Sequence, residues 1–135
     1  MINCLFCKII AGDIPAEKIF EDENTFVFLD IGPVSKGHML VIPKNHAENL
    51  TEGSVEDACS LMATVHKIAP DVMRGLGATG YNIGMNHGKD AGQEVFHTHI
   101  HLMPRYEKDS RLFVKFQPSK EELHEVAKKI REVLS

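Results

Sequence analysis

The chain has 135 residues, a formal net charge of −4, 43% hydrophobic and 25% charged residues. These are ordinary values for one globular domain, 1–135, burying about two-thirds of its unfolded surface. No basic block argues for a nucleic-acid surface, and no apolar run approaches the roughly 18 residues of a membrane span. Met1-Ile2-Asn3-Cys4 carries neither a basic stretch nor a signal-type apolar core, and Cys4, Cys7 and Cys59 suit a reducing compartment, so a cytoplasmic location is expected.

A short helix or turn is expected around Cys4 and Cys7. Thr25–Ile31 and Gly37–Pro43 are apolar runs joined by the turn-forming Gly32-Pro33-Val34-Ser35-Lys36, and read as a hairpin. From Ser54 to Leu76, Val55, Cys59, Met62, Val65, Ala69, Val72 and Leu76 recur at helical spacing, which predicts a helix with Cys59 in the core. Pro70 should kink or interrupt it, and Gly75 or Gly77 should end it. Gly80–Asn86 resumes strand character, and a polar loop, 87–94, leads into a histidine-rich run. Ser119-Lys-Glu-Glu122 has capping-box spacing ahead of Leu123, Val126, Ala127, Ile130, Val133 and Leu134 on one helical face. The order predicts an α+β fold: an antiparallel sheet with a long central helix and a C-terminal helix, 119–134.

The histidine run is Val95-Phe-His97-Thr-His99-Ile-His101-Leu-Met-Pro104-Arg105. Period-two alternation predicts a strand with all three imidazoles on one face, ending at Pro104, with Arg105 at its end. The three could ligate a metal that activates water, or one neutral imidazole could attack a phosphorus or acyl centre while its neighbours fix its tautomer. They could also be satisfied by backbone partners alone. The loop Asp90-Ala-Gly92-Gln93-Glu94 brings glycine and consecutive N–H groups that can form an anion-binding nest. Cys4-Leu-Phe-Cys7 is half of a tetrahedral zinc site, with His46 and His97 as candidates for the other half. A redox pair and two idle thiols are the alternatives.

Together these residues resemble the histidine triad (HIT) family of nucleotide hydrolases and transferases. His97 to Met103 matches the family's His-x-His-x-His pattern with its two following apolar residues. Leu5 to Pro15 is similar to the family's opening segment, Phe28-Leu-Asp30-Ile31 to its ribose-binding strand, and Gly37-His38 through Lys44 to the next strand. The resemblance runs from Cys4 to about Tyr106.

The resemblance implies that His99 attacks the α-phosphate of a nucleotide to form a nucleotidyl–histidine intermediate, which water then hydrolyses. It implies that His101 binds the phosphate and that His97 and His38 complete the catalytic group. Asp30 would accept from the ribose hydroxyls, Phe6, Ile9, Phe28 and Ile31 would pack around the base, and Asn86, Gly92, Gln93 and Val95 would lie on the phosphate side. A structural Zn2+ on Cys4, Cys7, His46 and His97 is implied by the bacterial-type, zinc-containing branch. One departure stands out: Glu94 occupies a position near the leaving group where phosphoramidases of the family commonly carry serine or threonine.

The expected activity is hydrolysis of a purine nucleoside 5′-phosphoramidate to the 5′-monophosphate, by a homodimer with no nucleic-acid or membrane partner. The alternatives are a dinucleoside polyphosphate hydrolase, a nucleotide-binding interaction protein with incidental turnover, and a metal-dependent hydrolase using the three histidines as ligands.

Overall fold

The computed structural model describes residues 3–134, so Met1, Ile2 and Ser135 of the expected domain lie outside the described residues. A short helix α1 (Leu5–Ile10) is followed by strands β1 (Lys18–Glu21), β2 (Thr25–Leu29) and β3 (Met39–Pro43), then helix α2 (Val55–Leu76). Strand β4 (Gly80–Gly84), a 3-10 turn at Lys89–Ala91, strand β5 (Ile100–Arg105) and helix α3 (Lys120–Leu134) complete the fold. The five strands form one antiparallel sheet in the order β1-β2-β3-β5-β4. The expected α+β class is borne out.

Alternation along the central strands divides the interior in two. Val27, Leu29, Met39, Val41, Ile100 and Leu102 point to α2 and α3, meeting Leu61, Val65, Ile68, Val72, Ala127 and Ile130. Phe26, Phe28, Leu40 and Ile42 point the other way and pack with Cys4, Phe6 and Ile9 of the α1 region. Because β2 and β3 are buried on both faces, they read as continuous apolar runs rather than alternating ones. The register pairs Phe28 with Leu40 and Leu40 with His101, which puts His101 on the α1 face of the sheet.

Local signals explain the ends of the helices. Ser54 caps α2 by accepting from the Asp57 N–H, and Gly77 ends it at φ 72, a left-handed conformation that suits glycine. At α3 the capping box is complete: Glu122 N–H donates to Ser119 Oγ at 3.1 Å, and Ser119 N–H donates to the Glu122 carboxylate at 3.0 Å. Gly75 lets α3 approach, since a β-carbon there would lie 2.8 Å from both methyls of Val133.

Four expectations are corrected. Helix α2 runs through Pro70 without a break. The carbonyl deprived of its donor belongs to His66, which is exposed, so water can serve it. Cys59 is exposed, not core, as are Val55 and Met62, so the apolar spacing on α2 comprises two stripes, one facing out. Strand β5 continues through Pro104 to Arg105; pairing with β3 ends at Leu102, so Pro104 has a neighbour on one side only, where proline is tolerated. The strand also begins only at Ile100, so His97 and His99 precede it. β1 was not anticipated; its short Lys-Ile-Phe-Glu run buries only Ile19 fully, too weak a pattern to stand out.

Candidate active site and metal cluster

Helix α1 starts at the first cysteine of the Cys-x-x-Cys pair. Cys4 is the N-cap, its Sγ accepting from the Cys7 N–H at 3.4 Å, so the helical turn itself brings the two thiols together. Across from them stand His46, just beyond β3, and His97. His97 Nδ1 is 3.4 Å from Cys4 Sγ, 3.6 Å from Cys7 Sγ and 3.2 Å from His46 Nδ1, while Cys7 Sγ is 3.5 Å from His46 Nδ1. A tetrahedron with zinc–sulfur bonds of about 2.3 Å and zinc–nitrogen bonds of about 2.0–2.1 Å has edges of about 3.5 Å (S···N) and 3.3 Å (N···N). The four residues therefore fit a zinc ion.

Two further observations suit a cation there. His97 Nε2–H donates to the Pro43 carbonyl at 2.8 Å, which fixes the tautomer and turns the Nδ1 lone pair toward the thiols. Burial, with the hydrogen bond and charge of Cys4, pushes the Cys7 thiol up to about 11. Two adjacent thiols oppose each other's ionisation, and a cation between them would reverse that.

His99 and His101 sit beside this cluster. His99 Nδ1–H donates to the His97 carbonyl at 2.7 Å, which leaves Nε2 as the ring's unprotonated atom. The ring packs edge-on to Phe6, with centroids 5.2 Å apart, and to His101 at 5.0 Å. His101 is fixed in turn by His38. The Val34 N–H, an obligatory donor, points at His38 Nδ1 at 3.0 Å, so the proton of neutral His38 is on Nε2. That proton faces His101 Nδ1 at 2.9 Å, so His101 carries its own proton on Nε2. Burial is the largest influence on all of these rings and holds them below the usual histidine range, His38 at about 4. The pair is neutral near pH 7, and the chain of donors has one direction.

Asp30, His38 and His101 also cluster closely. They do not suit a metal, because His38 Nδ1 accepts from Val34 and a metal on Nε2 would leave that ring with no proton at all. Asp30 Oδ1 instead accepts from the Gly32 N–H at 2.8 Å, and Oδ2 lies 3.6 Å from His38 Nε2. A cleft of about 690 Å3 opens from Asp30 and His38 toward Phe116, Leu123 and Val126.

The other expected site residues divide sharply. Phe6, Ile9 and Phe28 are buried in the α1-side cluster, Val95 packs against it, and Ile31 is 78% exposed. Gln93 is 4% exposed and its amide is fully engaged: Oε1 accepts from the Gly88 N–H, and Nε2 donates to the Glu48 and Val95 carbonyls. A phosphate contact from that side chain would displace one of these bonds. Asn86 is exposed and donates to the Gly92 carbonyl at 3.3 Å. In the loop expected to form an anion nest, the N–H groups of Ala91, Gly92 and Gln93 bond within the turn, so an anion would have to compete with those bonds. The sequence reading missed the Pro43 carbonyl and the Val34 N–H, since backbone atoms leave no residue-type signal.

The fold and the site define an α+β protein with a buried histidine array beside a Cys2His2 cluster. The HIT domain pattern matches residues 11–108. The chain is 48% identical to an uncharacterized HIT-like protein of Methanocaldococcus jannaschii, over 95% of this chain and 98% of that one. It is 42% identical to adenosine 5′-monophosphoramidase hnt1 of Schizosaccharomyces pombe, over 77% of this chain and 75% of the relative. A zinc-bound histidine triad family protein from Mycobacterium smegmatis superposes with a TM-score of 0.88 at 41% identity, over 98% of this chain and 93% of that one. The chain belongs to the HIT family.

Proposed function

We propose that the protein hydrolyses a nucleotide carrying a substituted α-phosphate, of the purine nucleoside 5′-phosphoramidate type, and releases the nucleoside monophosphate. The observation that carries this reading is the hydrogen bond from His99 Nδ1–H to the His97 carbonyl. It leaves the Nε2 lone pair ready to attack without prior deprotonation, and it stabilises the positive ring that attack creates. His99 Nε2 bonds to phosphorus as the bond to the leaving nitrogen breaks, and the amine takes a proton from solvent. Water then attacks phosphorus, frees His99 and returns that proton. His101, with Nε2–H forward, donates to a phosphate oxygen in both steps. Asp30 accepts from the ribose, and Phe6, Ile9, Phe28 and Ile31 form the side of the site that takes the base.

In this reading Cys4, Cys7, His46 and His97 hold a structural zinc ion, which ties the N-terminus to the residue that orients His99. Two copies associate through the outward stripe of α2 and the open edge of β4. Val55 and Met62 are 74% and 51% exposed there, and Tyr81 and Ile83 are 43% and 41% exposed. A light-scattering mass of one chain would count against that assembly.

The test is release of AMP from adenosine 5′-phosphoramidate by the wild type and by His99→Ala, followed by chromatography. Release that disappears with the imidazole supports the reading. Release that survives it moves the nucleophile elsewhere.

A further inference from the structure

Beyond β5 the chain continues as an irregular strap, residues 109–118, that passes Arg105 and returns to Pro33. Arg105, 8% exposed, holds its near end. Its Nε donates to Asn82 at 2.9 Å, one terminal nitrogen to both Asp109 oxygens at 3.2 and 3.3 Å, and the other to the Leu112 carbonyl at 2.9 Å. The guanidinium also lies 4.8 Å from the centre of the Phe113 ring. At the far end the Phe116 N–H donates to the Pro33 carbonyl at 2.9 Å.

Lys115 sits between these anchors. A β-carbon at Gly32 would lie 3.6 Å from Lys115 Cδ and 3.8 Å from Asp30 Oδ1, so the lysine stem runs along the Asp30–Gly32 turn. Its ammonium is 3.9 Å from Glu94 Oε2. Lys115 thus spans from the Asp30 wall to the Glu94 wall, and its charge reaches His38 and His101, where it disfavours their protonation. Both partners are mostly exposed, 62% and 82%, so the ion pair is loose and exchangeable.

We propose that Lys115 is a specificity-determining residue, released from Glu94 to receive an oxyanion leaving group on the α-phosphate. The proposal rests on the nucleotide-hydrolase reading and deepens it. An amine departs needing a proton. A sulfate- or phosphate-type group departs with the electrons of the broken P–O bond and the bridging oxygen, carrying negative charge that a lysine ammonium stabilises as it develops. Glu94 alone would repel such a substrate. Paired with Lys115 it screens the cation until an anion of higher charge takes its place.

The experiment compares kcat/KM for adenosine 5′-phosphosulfate, diadenosine triphosphate and adenosine 5′-phosphoramidate in wild type, Lys115→Ala, Lys115→Arg and Glu94→Gln. Lys115→Ala is expected to lower the ratio of oxyanion to amide substrate about fivefold to tenfold, the scale of one charge-assisted contact. Lys115→Arg should restore the ratio, and Glu94→Gln should raise it. A fall confined to the phosphosulfate marks a sulfate-sized subsite, and a fall on both oxyanion substrates marks one that takes phosphate chains. Equal losses on all three substrates in Lys115→Ala would overturn the proposal. If the wild type turns over none of them, the hydrolase reading fails, and Lys115 is judged by binding. Lys115→Ala weakening ADP more than AMP supports it, and equal weakening overturns it.

Discussion

His38 Nε2 lies 2.9 Å from His101 Nδ1, and the Val34 N–H decides which of the two rings holds the shared proton. A backbone group on the β2–β3 turn therefore sets the face that a histidine on β5 offers to a substrate. His38 is a positioning residue in this arrangement.

Removing His38 should release that constraint without touching the nucleophile. In His38→Ala the His101 ring is free to take either tautomer, and one of them presents a lone pair to the phosphate. We expect kcat/KM on adenosine 5′-phosphoramidate to fall about tenfold, the scale of one hydrogen bond to a charged group, with the variant still forming a nucleotidyl–histidine. Intermediate trapping beside steady-state rates checks this. A wild-type rate in a folded His38→Ala protein would show that the relay is idle.

The same burial makes stability depend on pH. His38 and His101 have folded pKa values below the unfolded histidine value of about 6.5, His38 at about 4. Between those limits the unfolded chain binds more protons, so stability is full above about pH 6.5 and is lost as pH falls toward 4. Urea midpoints at pH 7.5, 6 and 5 should decline in that order. Many groups contribute to the pH dependence of the whole chain, so the telling quantity is the gap between wild type and His38→Gln. It should narrow or turn against the wild type as the pH drops, and a gap constant across the range would contradict the assignment.

The zinc ion proposed on Cys4, Cys7, His46 and His97 is predicted to act through stability. Cys4 and His97 are buried and 93 residues apart in the chain, so an ion between them would cross-link α1 to the residue whose carbonyl holds His99. Metal analysis of protein isolated without chelator should give about one zinc per chain. Cys7→Ala should lose it and melt about 10 °C lower or more, given the several kcal/mol a structural site contributes. Well below its own melting temperature that variant should retain most of its turnover. Abolished turnover in the still-folded variant would instead favour a metal-dependent reaction.

Much of this site was legible because its chemistry lies in residue types at fixed spacing. Cys4, Cys7, His46 and His97 could be grouped from the sequence, and the structure brings all four within reach of one ion. The route was different from the one expected. Only His101 lies in a strand, because period-two spacing fits any extended backbone; Thr98 bonds through its N–H and its hydroxyl to the Ala47 carbonyl, outside the sheet ladder. Cys59 misled for a related reason: an apolar stripe records that a helix face avoids water, not what covers it. Lys115 left no signal, since its strap has no periodicity and becomes part of the site only through distant anchors at Arg105 and Pro33.

Arg105 ties β4 to the strap. Its side chain is nearly buried, and three different partners use its fork: Asn82 on β4, Asp109 and the Leu112 carbonyl. Lysine has the charge but not the planar set of donors, so it can serve only one or two of these at once. Arg105→Ala should cost about 3 kcal/mol, because it leaves a poorly hydrated Asp109 without its cation and frees the strap. Limited proteolysis should then cut within residues 109–118 at protease levels that leave the wild type intact, while α2 and the central strands resist. Arg105→Lys should fall between the two. If the strap in Arg105→Ala stays as protected as in the wild type, the Phe116 bond to Pro33 holds it unaided, and the arginine serves only the end of β5.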